Sequence, residues 1–292
     1  FFFKQKTAYE IRNCDWSSDV CSSDLASQLL EPQVSGILMH TKRFILIGDE
    51  RQLPAVITQD IRGTKLQHPL FEDIALSDFR HSLFERLLKL CMRNGDTHAY
   101  GMLTIQARMH EDISAIVSSM HYGNRLQSMN PWQSAEDDIP LKEYPRLTWI
   151  ATKPELQYKI HHAEAELAVS LASRALQKHT VQEIGIITPF RSQIALIQSL
   201  IPDEYKPQIT VDTVERFQGS ERELIIISLA IHNEFHAKGI ESFAEIEGEM
   251  IDRKLNVALT RAKKQCIILG CPEALRKDSP YAHLYNRLGQ QN

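Results

Sequence analysis

The chain has few cysteines and no pairing pattern among them. Its five, Cys14, Cys21, Cys91, Cys266 and Cys271, form no CxxC, and no histidine stands at zinc-ligand spacing from any of them. That argues against a zinc site and against a disulfide framework; it is the usage expected of reduced thiols in a cytoplasmic protein. The adjacent pair His161-His162 also lacks a ligand partner nearby and reads as surface. Long apolar runs are missing too. None approaches the ~18 residues of a membrane-crossing helix, so no membrane partner is expected. Nor is there an excess of positive charge. Lys and Arg number 33 against 37 Asp and Glu, for a net charge of −4, which argues against non-specific wrapping of nucleic acid but leaves room for a local basic groove. Internal repeats and low-complexity tracts are absent. What is there is ordinary: 292 residues, 43% apolar and 24% charged, enough for one large or two medium domains with a sizeable core.

Residues 1–25, FFFKQKTAYEIRNCDWSSDVCSSDL, show no helical or strand period and no signal-peptide order of basic, apolar and small residues. KQKTAYEI and CDWSSDVCSSDL instead resemble the translation of a short-read sequencing adapter, with Arg12 and Asn13 in the place of its variable index. The expectation is that this segment is not native. Cys14, Trp16 and Cys21 then carry no functional information, and the native sequence enters at about Ala26.

From Ala26 onward, short apolar runs alternate with segments of helical period. The runs are RFILIGD (Arg43 to Asp49), LTWIA (Leu147 to Ala151), IGIITP (Ile184 to Pro189), ITVDT (Ile209 to Thr213), ELIIIS (Glu223 to Ser228) and QCIILG (Gln265 to Gly270). Several are continuously apolar, as strands buried on both faces of a parallel sheet are. Ala165, Val169, Ala172 and Leu176 share one face of a helix between them. This order predicts a doubly wound α/β fold, in which ligands bind beyond the carboxyl ends of the strands. Residues 127–140 and 233–248 are polar and read as a loop and a surface excursion.

The strand ends carry the candidate chemistry. After FILI, Gly48 allows a tight exit and Asp49 and Gln52 follow, suited to a metal-bound water and a phosphate oxygen; an ordinary turn is the bland alternative. In LTIQARMH a buried strand fragment would deliver Gln106 and Arg108, the latter either a phosphate ligand or a surface ion pair. TVERFQGSERELIIIS offers Thr213 and Gln218 as hydrogen-bonding groups, Gly219 as a chain break and Glu221 as an acceptor. DRKLNVALTRAKK, Asp252 to Lys264, reads as a helix with Lys254 and Arg261 on one face. A helical arginine of this kind can stabilise charge on a transferred phosphate, or merely face solvent.

Taken in order, these pieces resemble superfamily-one helicases of class B, of the nonsense-decay-factor and replication-nuclease type. ASQLLEP resembles the tail of their DEASQ motif, GDERQLP their GDxxQLPP, QARMH their QYRMH, and IGIITPFRSQ their IGVITPYxxQ; TVERFQGSERELIIIS and RKLNVALTRAKK resemble the two motifs that follow. The resemblance spans nearly all of Ala26 to Leu269. It implies a RecA-like P-loop NTPase fold: the remainder of a first domain over 26–97 and a complete second domain over 98–292. ATP would sit in the cleft between them, with Mg²⁺, and single-stranded DNA or RNA would cross their top. By the same resemblance Gln52, Arg108 and Arg261 would act on the γ-phosphate. Asp49, Gln106, Gly219, Glu221 and Lys254 would lie against the nucleotide. Pro54, Thr188, Pro189, Thr213 and Gln218 would touch the nucleic acid, whose backbone can be held without reading bases.

The departures from the family pattern matter. GxxxxGK[ST] occurs nowhere, so the phosphate cradle and its Lys are absent. Asp24-Leu25 stands where the family has Asp-Glu before Ala26, which would remove the Mg²⁺ anchor and the base for the attacking water. Ala107 replaces the Tyr that stacks on adenine, and Ala55 replaces a second Pro. The expectation is a helicase or translocase whose given chain does not hydrolyse ATP, with accessory or nuclease domains upstream. Rival readings are a motor serving an attached nuclease or defence system, and a nucleic-acid-binding pseudo-enzyme, for which Ala107 speaks.

Overall fold

The computed structural model describes residues 20–289 apart from 56, 58–59, 61–62, 137–138, 156–158, 179–180 and 247. The described residues form two compact units, one ending at Leu103 and the other starting at Thr104. Before that division, Gly95, at φ 74°, turns the chain back at the end of a helix, and the N–H of Asp96 donates to the carbonyl of Cys91 at 2.9 Å.

The first unit contains β1 (Val20–Ser23), α1 (Glu31–Leu38), β2 (Arg43–Leu46), α2 (Pro69–Asp73) and α3 (Leu83–Asn94). Most of the adapter-like segment, residues 1–19, lies outside the described residues. Its last part does form an element: β1 pairs in parallel with β2, from Val20 opposite Arg43 to Ser23 opposite Leu46. An open strand edge is a row of unpaired N–H and C=O groups that an extended segment within reach can complete, whatever its side chains. Phe44 and Ile45 of β2 stay 45% and 55% exposed.

The second unit runs β3 (Ile105–Gln106), α4 (Glu111–His121), β4 (Gln127–Ser128), β5 (Leu147–Ala151), α5 (His162–Gln177), β6 (Ile184–Ile187), α6 (Arg191–Leu200), β7 (Ile209–Asp212), α7 (Val214–Phe217), β8 (Arg222–Ser228), α8 (Glu234–Ile240), β9 (Phe243–Ile246), β10 (Glu249–Asp252), α9 (Arg253–Leu259), β11 (Ala262–Gly270) and α10 (Pro280–Gly289). Five strands form one parallel sheet in the order β5-β11-β8-β6-β7. The α/β class is thus as expected. Each continuously apolar run of this unit became a strand of that sheet. The anticipated helix face is also found, with Ala165, Val169, Ala172 and Leu176 of α5 buried against Ile184, Ile186, Leu224, Ile226 and Ile267.

Two local expectations fail. Leu103 and Ile105 are 75% and 62% exposed, so the strand before Arg108 is short and not buried. Residues 233–248, read as an excursion, hold α8 and part of the β9–β10 hairpin, with Ala237 and Ile240 buried and Glu234, Phe235 and Lys238 facing outward. Among the described residues no helix is long and apolar enough to cross a membrane.

The carboxyl end of β8 is tied down by a buried polar network. Glu164, in the first turn of α5, accepts hydrogen bonds from Ser228 Oγ at 2.8 Å and Ala230 N–H at 2.9 Å through one oxygen, and from Thr152 Oγ at 3.0 Å through the other. Gln193 of α6 donates to the carbonyl of His161 at 2.9 Å and to Ser228 Oγ at 3.1 Å. His161, expected at the surface, is fully buried, caps α5 by accepting from Glu164 N–H and stacks on His232 with ring centres 5.1 Å apart; only His162 is exposed. Burial holds the His161 imidazole below its usual range. It pushes the Glu164 carboxyl up to about 7 from an ordinary 4.5, against the three hydrogen bonds that favour the anion. Because that folded value lies above the unfolded one, the stability it contributes is full below about pH 4.5 and is lost as pH rises through about 7, by about 3 kcal/mol at most. His161 acts in the opposite sense as pH falls below about 6.5. The urea midpoint of Glu164→Gln should therefore gain on that of the wild type as pH rises from 5 to 8, the His161 contribution being common to both; parallel profiles would show that Glu164 does not titrate in this range.

Candidate functional site

The expected site residues divide between the two ends of the sheet. Thr188 and Pro189 follow β6, and Thr213 follows β7, at the carboxyl edge where ligands were anticipated. Gly219 and Glu221 instead precede β8, and Arg261 precedes β11, at the amino edge. The seven residues of β8 separate the two groups by about 20 Å.

At the amino edge, α9 stops at Leu259. Asp252, itself fully buried, caps its start by accepting from the N–H groups of Lys254 and Leu255 at 2.9 and 3.0 Å. The helix was expected to continue to Lys264, with Lys254 and Arg261 on one face. It ends because Ala262 onward is drawn into the sheet between β5 and β8. Arg261 lies in the turn, 2% exposed. Its Nε donates to the carbonyl of Val257 at 3.1 Å, Nη1 to the carbonyl of Ser220 at 3.2 Å and Nη2 to Thr260 Oγ at 3.0 Å. Reaching a phosphate would require these bonds to be exchanged. In this structure Arg261 is a buried tie between the α9–β11 turn and the loop before β8.

Arg108 meets the same two segments from another side. Its Nε donates to Glu221 Oε2 at 2.7 Å, and its Nη1 lies 3.4 Å from the carbonyl of Thr260. The two arginines thus grip neighbouring residues, Ser220 and Glu221 on one segment and both polar groups of Thr260 on the other. Lys263, which sequence reasoning passed over, faces the other oxygen of Glu221 at 3.5 Å, with its ammonium 6.0 Å from the ring centre of Trp132. Burial opposes ionisation of Glu221, but Arg108 and Lys263 hold its carboxyl below the ordinary value. Gly219 has φ +81°, a conformation that only glycine adopts at little cost, and this bends the chain so that Ser220 and Glu221 face the arginines.

The remaining residues are placed as follows. Gln106, expected against a nucleotide, spends its amide on its own loop and on β4: Oε1 accepts from Arg108 N–H and Met109 N–H at 3.0 and 2.8 Å, and Nε2 donates to the Met109 carbonyl at 3.0 Å and to Ser128 Oγ at 3.2 Å. It shapes the turn that carries Arg108. Lys254 pairs with Glu215 of α7 at 3.3 Å. Thr188, expected to touch a strand, is fully buried, and among the described residues its Oγ has no hydrogen-bond partner. Pro189, Thr213 and Gln218 are half-buried. In the first unit, Gln52 Nε2 donates to Asp49 Oδ2 at 2.6 Å, Arg51 N–H to Asp49 Oδ1 at 3.0 Å, and Asp49 N–H to Ser27 Oγ at 3.3 Å; Pro54 is half-buried. The ASQ and GDERQLP segments are therefore adjacent. Among the described residues no group of three His, Cys, Asp or Glu is placed to hold a metal ion.

The sequence model of the AAA domain family matches residues 79–273. The chain belongs to this family. Within it the chain is a superfamily 1 helicase relative of RecA-like α/β fold. It is 28% identical to the DNA replication ATP-dependent helicase/nuclease DNA2 of Bos taurus, over 94% of the chain and 26% of that protein. It is 29% identical to the regulator of nonsense transcripts 1 of Dictyostelium discoideum, over 92% of the chain and 20% of that protein. The chain thus spans about a quarter of the length of the curated relatives it matches. Among solved structures, an arterivirus nonstructural protein 10 helicase is 12% identical, with a TM-score of 0.41, over 90% of this chain and 40% of that one.

In this AAA domain the loop before β8 is anchored by Phe217, which is 2% exposed and packs over Gly185 of β6. A methyl group at 185 would lie 2.6 Å from Ile225 Cδ1 and 2.7 Å from Phe217 Cε1. Gly185→Ala is expected to cost about 1–3 kcal/mol through overpacking. The urea midpoint should fall with the m-value unchanged; an unshifted midpoint would mean that Phe217 is not fixed there.

Proposed function

We propose that this chain is the arginine-bearing, strand-contacting part of an ATP-dependent nucleic-acid helicase or translocase, and that the chain as given does not hydrolyse ATP. The observation that carries the reading is the convergence of Arg108 and Arg261 on residues 220–221 and 260. Two guanidinium groups converging on one loop from different segments suit an anion with several oxygens, since a guanidinium presents donors in a fixed fork. Arg108 is the group that approaches the phosphate, because its side chain is partly exposed where that of Arg261 is not. Arg261 holds the loop from below and joins the phosphate only by exchanging its carbonyl partners. Thr213 and Pro189, at the opposite end of β8, are the contacts for a single strand of DNA or RNA. Thr188 takes part only if the turn after β6 opens. Hydrolysis needs a phosphate cradle and a base, and GxxxxGK[ST] is absent from the sequence. The relatives named as ATP-dependent helicases support the reaction class for the whole protein.

The test uses the full chain at low salt. Tripolyphosphate should bind in a calorimetric titration, and Arg108→Ala should weaken it about tenfold, the loss of one charge-assisted contact. ATP with Mg²⁺ should give no turnover above buffer. Mg²⁺-dependent ATPase activity that disappears in Arg261→Ala, or tripolyphosphate binding indifferent to Arg108, would contradict the reading.

A further inference from the structure

We propose that Lys263 is a positioning residue that takes over the Glu221 carboxylate from Arg108, freeing the Arg108 guanidinium for a phosphate group. The inference rests on the reading of Arg108 as phosphate-facing. In this structure Arg108 is parked. Its Nε is committed to Glu221 Oε2 at 2.7 Å, Nη1 has only a long contact with the Thr260 carbonyl at 3.4 Å, and among the described residues no acceptor is seen for Nη2. The outer edge of the fork is open while its inner edge is held. A phosphate could engage the outer edge alone, but two parallel bonds along one side of the guanidinium would require Nε to leave the carboxylate.

Leaving is costly only if Glu221 is then stranded. Its side chain is 42% exposed and flanked by α9 and β11, and an anion arriving beside it adds repulsion. Lys263 removes both objections. Its ammonium already sits 3.5 Å from Oε1, the oxygen that Arg108 does not use, and is the looser of the two partners. The ring of Trp132, 6.0 Å away, keeps the ammonium on that side. The backbones that carry the two cations are joined directly, since His110 N–H donates to the Lys263 carbonyl at 2.8 Å. The exchange therefore needs side-chain motion alone. Phosphate offers the guanidinium more charge and more acceptor oxygens than one carboxylate, so it wins Arg108 once Lys263 covers Glu221.

The test is a double-mutant cycle read by tripolyphosphate titration of the full chain. Lys263→Met should raise Kd about threefold. Lys263→Arg should restore it, which a merely structural lysine would not require. Glu221→Gln should bind at least as tightly as wild type, because Arg108 is no longer held. In the Glu221→Gln background, Lys263→Met should have no further effect. An unchanged Kd in Lys263→Met, or the same loss with and without Glu221, would overturn the exchange; the second result would mean that Lys263 contacts phosphate directly. Either failure leaves the phosphate-facing reading of Arg108 standing, since only indifference to Arg108→Ala removes that. Unchanged circular dichroism and thermal midpoints confirm that the variants, at partly exposed side chains, are folded.

Discussion

The buried guanidinium of Arg261 is the tie on which the amino edge of the sheet depends. It is 2% exposed and donates to a helix carbonyl, a loop carbonyl and a hydroxyl, on three different residues. A lysine could reach one of these acceptors but not all three in their fixed directions. Without the fork, buried acceptors lose their donors, a loss of about 1–3 kcal/mol for each group left unsatisfied. The geometry downstream follows from this tie. Ser220 is fixed by Arg261, Glu221 is next in the chain, and Glu221 sets where Arg108 rests. Of the two arginines expected to act on phosphate, Arg261 is thus, in this structure, the one that places Arg108.

β8 links this edge to the opposite one. Its amino end carries the charged loop; its carboxyl end runs into the buried carboxyl of Glu164 and the amide of Gln193, close in the chain to the turn that bears Thr188 and Pro189. The strand is apolar and buried between β6 and β11, so it behaves as a stiff strut. In the reading proposed above, such a strut would couple a nucleotide at one edge to a nucleic-acid strand at the other without a flexible connection. Neither end depends on a dense basic patch, which is consistent with a net charge of −4.

Much of the fold was legible because buried parallel strands leave a plain mark. Leu147–Ala151 was read with its observed limits, and the runs at 184, 209 and 223 each gave a strand. The spacing of Ala165, Val169, Ala172 and Leu176 gave α5 for the same reason: one face must be apolar to be buried. The end of α9 was not legible. RKLNVALTRAKK has good helix formers throughout, and only pairing with β5 and β8 turns its last residues into a strand. Residues 233–248 hid a helix because it has only seven residues and its buried face is short. His161 looked like half of a surface pair; its burial comes from Gln193 and His232, far away in sequence. Arg108, Glu221 and Arg261 were singled out in the sequence and lie together in the structure, but their contacts with one another were not foreseen. Lys263 and Trp132 carry no sequence signal that separates them from surface residues.

The central claim is tested most directly by hydrogen–deuterium exchange on Arg261→Lys, which keeps the charge and loses the fork. Amides of residues 217–222 and 258–263 should exchange faster than in wild type, while those of Leu147–Ala151 and Ile184–Ile187 keep their protection. Unchanged exchange at 217–222, or a uniform increase across the whole sheet, would show that Arg261 does not hold this loop in particular.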